Sequence, residues 1–100
     1  MVTKISICIP RLDRFSSRKT IHTVLEKYKL GSINRIDIVG WGEVRRAFIH
    51  FESWNETHPP AKNILDRLNK MEKVNIIHSF PWYWRCMKSR VPCPSFNHQY

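Results

Sequence analysis

Cations and aromatic rings recur side by side at two places in this chain, and they are the residues best suited to chemistry. Residues 45–51 read RRAFIHF, in which Arg46, Phe48 and His50 alternate with Ala47, Ile49 and Phe51. Successive side chains of a strand point to opposite faces. An extended RRAFIHF therefore carries a guanidinium, a phenyl ring and an imidazole on one face and only apolar groups on the other. Residues 81–90, PWYWRCMKSR, put Trp82 and Trp84 on one side of an extended chain and Tyr83 and Arg85 on the other, with Lys88 and Arg90 following. Rings offer π-faces to unpaired bases and cations neutralise a phosphate backbone, which is the pairing that binds single-stranded nucleic acid. The competing reading is structural. Phe48 would be covered by the C-terminal segment or a partner protein, and the tryptophans would cap the core beside Trp41 and Trp54, because large rings rarely stay fully exposed.

Other chemistries find less support. His22, His58, His78 and His98 have no acid or nucleophile at a useful spacing, so no catalytic constellation is evident and no enzyme is expected. Cys8, Cys86 and Cys93 are an odd number at unrelated spacings, which argues against a disulfide framework and fits a reducing compartment. Cys86, Cys93 and His98 lack a CxxC pair and an evident fourth ligand, so neither zinc nor any other cofactor is expected. A third basic group, Arg11, Arg14, Arg18 and Lys19, precedes or opens a helix, whose N-terminus adds positive potential. It is suited to phosphate, although a solvated charged face would look the same.

The whole chain agrees with the basic motifs. Lys plus Arg number 17 against 8 Asp plus Glu, a formal charge of +9 on 100 residues, and a field of that size favours polyanionic partners. Hydrophobic residues make up 42%, enough for one packed domain and too many for a chain that stays disordered. No apolar run approaches the roughly 20 residues that span a bilayer, and MVTKISICIPRL is interrupted too soon for a signal peptide. The expectation is an intracellular protein, cytoplasmic or nuclear, with no membrane partner.

The elements that must position these residues follow from hydrophobic spacing. Ile5, Ile7 and Ile9 alternate as a first strand. Ser16 or Ser17 caps a helix whose apolar positions are Ile21, Val24, Leu25 and Tyr28, with Gly31 to stop it. Ile33, Ile36, Ile38 and Val39 form a second strand around Arg35, and Gly40-Trp41-Gly42 turns it into the third, Val44 to Phe51. Pro59 and Pro60 open a second helix with the stripe Ala61, Ile64, Leu65, Leu68 and Met71. Val74, Ile76 and Ile77 begin a fourth strand that continues past Pro81 into WYWRCMKSR, bulged at Pro81 or lying at a sheet edge. The order βαββαβ predicts an α+β fold of ferredoxin-like type: a four-stranded antiparallel sheet with two helices on one face and the other face open. Residues 1–85 form the domain and residues 86–100 a basic, proline-containing tail.

The ferredoxin-like plan serves several functions, so residues must choose among them. The loop PRLDRFSSRKT has no CxxC for a metal carrier and no glycine for an acylphosphatase-like phosphate cradle. VRRAFIHF at 44–51 resembles the third-strand pattern of the RNA-recognition-motif family, [RK]-G-[FY]-[GA]-[FY]-[ILV]-x-[FY], matching at Ala47, Phe48, Ile49 and Phe51. ICIPRL at 7–12 resembles that family's first-strand pattern, [ILV]-[FY]-[ILV]-x-N-L, matching at Ile7, Ile9 and Leu12. Cys8 stands where the family has a ring and Arg11 where it has asparagine. Of the three usual stacking positions only Phe48 keeps its ring; Arg46 can stack and also pair with phosphate. The resemblance implies single-stranded RNA or DNA bound through Phe48, Arg46, His50, Arg35, Arg11, Trp82, Trp84, Arg85, Lys88 and Arg90. The missing rings keep a second reading open, a protein-protein adaptor that uses the sheet face or the C-terminal segment. The compact, stand-alone form and the PWYWRCMKSR ending also look like small RNA-recognition-motif-like reading frames of large DNA viruses, which would add the virion as a location.

Overall fold

The computed structural model describes residues 4–91, and the C-terminal residues Cys93 and His98 lie outside that range. The elements are β1 (Ile5–Ile9), α1 (Arg18–Lys27), β2 (Gly31–Val39), a single 3₁₀ turn (Gly42–Val44), β3 (Arg46–Trp54), α2 (Pro59–Asn69), β4 (Val74–Ser79) and β5 (Trp82–Lys88). The strands form one sheet in the order β2-β3-β1-β5-β4, with every neighbouring pair antiparallel. This α+β architecture has five strands, not the four expected. The difference lies at Pro81. Its fixed φ and missing N–H suit a turn better than a ladder, so the chain reverses at Phe80 and Pro81 and the apolar run becomes the β4–β5 hairpin. β5 then runs to Lys88, beyond residue 85, where the tail was expected to begin.

Register explains the two faces. Ile5 pairs with Phe51, Ile7 with Ile49 and Ile9 with Ala47, so alternate residues of β1 and β3 meet as one aliphatic surface. With Ile76, Trp84 and Cys86, and with Ile21, Val24 and Leu25 of α1 and Ala61, Leu65 and Leu68 of α2, this surface forms a single buried cluster. Each fully buried aliphatic side chain contributes about 1.5–3 kcal/mol of transfer free energy. Among the described residues Ile7, Ile9, Leu12, Ile21, Leu25, Leu30, Ile49, Leu68 and Ile76 are buried to this extent, and together they outweigh any one polar contact described below.

Local signals set the helix ends. Ser17 is the cap of α1, its hydroxyl accepting from the Thr20 N–H at 3.2 Å. The stop is not Gly31: Lys29 takes the left-handed turn at φ 53°. Gly31 serves close approach instead, because a Cβ there would run into the Ser53 carbonyl oxygen across the β2–β3 ladder. Pro59 opens α2 as expected, but α2 ends at Asn69. Met71 lies past it at φ 63° and is exposed, so it leaves the predicted stripe. Helix α1 is tied to both ends of the sheet. Arg18 Nε donates to the Ile36 carbonyl at 2.8 Å, while the Tyr28 hydroxyl donates to the Ile77 carbonyl and accepts from the Ile77 N–H, each at 3.0 Å. Tyr28 thereby satisfies backbone groups that β4, as an edge strand, would otherwise leave unpaired.

Candidate nucleic-acid interface

The sheet face away from the buried cluster is laid out by the same register. Ser6 lies opposite His50 and Cys8 opposite Phe48. Arg35 lies opposite His50 and Asp37 opposite Phe48 on the far side of β3. Met87 flanks Cys8 on β5, with Arg85 opposite Asn75 and Tyr83 opposite Ile77 farther out. The row contains a closed end and an open one.

At the closed end His50 is only 1% exposed. Its Nδ1 is 2.6 Å from the Ser6 hydroxyl and its Nε2 is 3.4 Å from Asp37 Oδ2. Arg35 donates from Nε and Nη2 to Asp37 Oδ1 at 3.1 and 2.8 Å. Desolvation lowers the His50 pKa, assisted by Arg35 and opposed by Asp37. A neutral ring fits both contacts, with Nε2–H turned to the carboxylate and Nδ1 accepting from Ser6. Serine, histidine and aspartate in series resemble a nucleophilic relay, and sequence spacing gave no hint of it. The ring is buried, and the series ties β1, β2 and β3 together. His50 and Arg35, both expected to contact nucleic acid, are occupied here with Ser6 and Asp37.

The open end is two depressions that share Lys73 and Met87. The larger, about 590 Å³, is lined by Pro10, Arg11, Lys73, Tyr83, Arg85 and Met87. The other, about 340 Å³, includes Cys8, Arg46, Phe48, Lys88 and Arg90. Among the described residues six cations, Arg11, Arg46, Lys73, Arg85, Lys88 and Arg90, line the pair, and no carboxylate does. None of the six is in an ion pair with a described residue. Lys88 is tethered, its Nζ donating to Asn69 Oδ1 at 3.1 Å. Apolar Met87, Cys8, the half-buried Phe48 ring and the exposed Tyr83 ring lie among these charges. Burial raises the Cys8 pKa against the opposing pull of Arg46, so the thiol stays neutral. The arrangement offers rings at two points and positive charge between and around them.

Of the expected contact residues, Phe48, Arg46, Arg11, Arg85, Lys88 and Arg90 are brought together here. Trp84 is not. Alternation along β5 turns it into the core, 2% exposed, where its Nε1–H donates to Asp13 Oδ1 at 3.0 Å and its ring stacks on His78 at 4.6 Å. Its exclusion was readable from β5, since it and Trp82 share the side opposite Tyr83 and Arg85. Trp82 is exposed near the hairpin turn, away from these two depressions. Lys73 was missed: it precedes β4, where the alternation that buries Val74 and Ile76 puts it on the other face. Tyr83, named with the aromatic segment but not among the contact residues, sits on the Arg85 side of β5. Among the described residues no group of three or more His, Cys, Asp or Glu is placed to hold a metal, and no helix is long and apolar enough to cross a membrane. Compared with protein-family models, curated proteins and solved structures, the chain matches none of them.

Proposed function

We propose that this protein is a non-enzymatic module that binds single-stranded nucleic acid, RNA in the first place, along the open end of the sheet. The observation that carries the reading is the pair of adjoining depressions lined, among the described residues, by six cations and no carboxylate, with Phe48 and Tyr83 among them. Bases stack on the rings, and the phosphates between them meet Arg46, Lys73, Arg85 and Arg11. The strand order β2-β3-β1-β5 also supports a ferredoxin-like, RNA-recognition-motif-like plan in which β5 takes the place of the fourth strand and β4 is an addition at the edge. Such a module serves wherever single strands are handled: cytoplasm, nucleus or virion.

The test is an anisotropy titration of single-stranded RNA and DNA oligonucleotides with the wild type and Phe48→Ala at two salt concentrations. Stacking is worth about 1–3 kcal/mol per base, so Phe48→Ala weakens binding by about tenfold at either salt. Salt-sensitive binding that ignores Phe48→Ala reduces the claim to bulk charge, and no binding at low salt refutes it. The second reading, a protein adaptor, draws on the closed end, where His50 and Arg35 are already committed within the chain. It predicts that no oligonucleotide binds.

A further inference from the structure

Arg11 and Tyr83 belong to a third cavity as well. It holds about 390 Å³ between the loop after β1 and the β4–β5 hairpin, and Asp13, Phe15, His78, Trp82 and Trp84 complete it. Phe15 is 85% exposed and Trp82 68% exposed, and neither makes a ring contact with a described aromatic residue. Rings of this size normally find cover, yet the backbone beneath them is fixed. Asp13 accepts from the Phe15 N–H at 3.2 Å, from the Ser16 hydroxyl at 2.6 Å and from Trp84 Nε1 at 3.0 Å. Arg45 clamps the same loop, donating to the carbonyls of Asp13, Arg14 and Ser16 at 3.1, 2.8 and 2.6 Å. The stack of the buried Trp84 on the half-buried His78 is the floor. Exposed rings on anchored backbone are preorganised to receive a flat apolar group without a large ordering cost.

Continuity identifies that group. The three cavities run in series, the first two joined through Lys73 and Met87 and the last two through Arg11 and Tyr83. From the proposed function, on which this step rests, we infer that the cleft walled by Phe15 and Trp82 is a separate base-binding subsite. The strand that crosses Phe48 and Tyr83 leaves the sheet beside Arg11 and seats an unpaired base there. This gives Trp82 the contact role that the sheet face alone denies it.

The experiment uses a single strand of about twelve nucleotides, within the span that one small binding domain covers, with 2-aminopurine at either end. Stacking quenches 2-aminopurine at one end on binding. That quenching is lost in Trp82→Ala and in Phe15→Ala and kept by the bound fraction of Phe48→Ala, while Trp82→Ala weakens affinity about tenfold. Both cleft residues are exposed, so the variants keep the fold, checked by circular dichroism. If the two cleft variants bind within twofold of wild type while Phe48→Ala weakens binding, the cleft inference is wrong and the proposed function stands. If the wild type binds no oligonucleotide at low salt, both fall.

Discussion

The two ends of the same sheet face differ in what their charges are doing. At the β2–β3 end Arg35, Asp37, His50 and Ser6 satisfy one another, and the ring between them is buried. At the β1–β5 end Arg46, Lys73 and Arg85 surround a shallow apolar floor and are in no ion pair with a described residue. Neighbouring strands in one sheet thus show one polar cluster spent on holding the fold and another left available. A paired charge is no longer free to attract a phosphate, whereas like charges held apart by the sheet keep a field that only an external anion relieves.

The contrast is broken most severely by reversing charge at the open end. Arg46→Glu combined with Arg85→Glu should weaken single-strand binding by about a hundredfold or more, since two attractive contacts become repulsive ones. The melting temperature should stay within a few degrees, because neither side chain is buried. Equal weakening by a closed-end variant, measured by anisotropy, would erase the distinction. Asp37→Ala should do the reverse. It leaves Arg35 and the buried His50 Nε2 without their carboxylate and costs about 2 kcal/mol of stability in denaturant unfolding, while affinity of the folded protein changes by less than about threefold.

Acid sharpens the contrast further. His50 has a folded pKa below its unfolded value of about 6.5. The unfolded chain therefore binds more protons as pH falls through that region, and stability present above it is lost on acidification. Denaturant midpoints should decline from about pH 7 to 5, and His50→Gln should flatten the decline. A second loss belongs to Asp13. Burial would raise its pKa, but hydrogen bonds from Ser16, Trp84 and the Phe15 N–H, with His78 nearby, hold it below the usual carboxylate value. Its stabilisation is present above about pH 4 and disappears as pH falls through the lowered value. The smallest effect is a gain. Cys8→Phe puts a ring on the open-end floor beside Phe48 and should tighten binding about fivefold in the same titration.

Much of this architecture was legible because it rests on local spacing. Ile5, Ile7 and Ile9 announced β1, the pair Ser16 and Ser17 and then Pro59 announced the helix starts, and the alternation of RRAFIHF put Phe48 and Arg46 opposite the core. The hairpin was hidden because aliphatic and aromatic residues continue on both sides of Pro81 and read as one strand. His50 shows a different limit. Alternation gives its face correctly, but its burial depends on Ser6 and Asp37, which only the antiparallel register delivers. Lys73 joined the site for a similar reason, since its neighbours Tyr83 and Arg85 arrive through the hairpin.

The central claim, that cations of the open end bind single strands, is tested most directly by the salt dependence of the dissociation constant. For single strands the slope of log affinity against log salt is about −0.7 per phosphate neutralised. Six cations therefore predict a slope approaching about −4, falling in magnitude by about 1.4 in Arg46→Gln combined with Arg85→Gln. A wild-type slope near zero, or one that the double variant leaves unchanged, would contradict it.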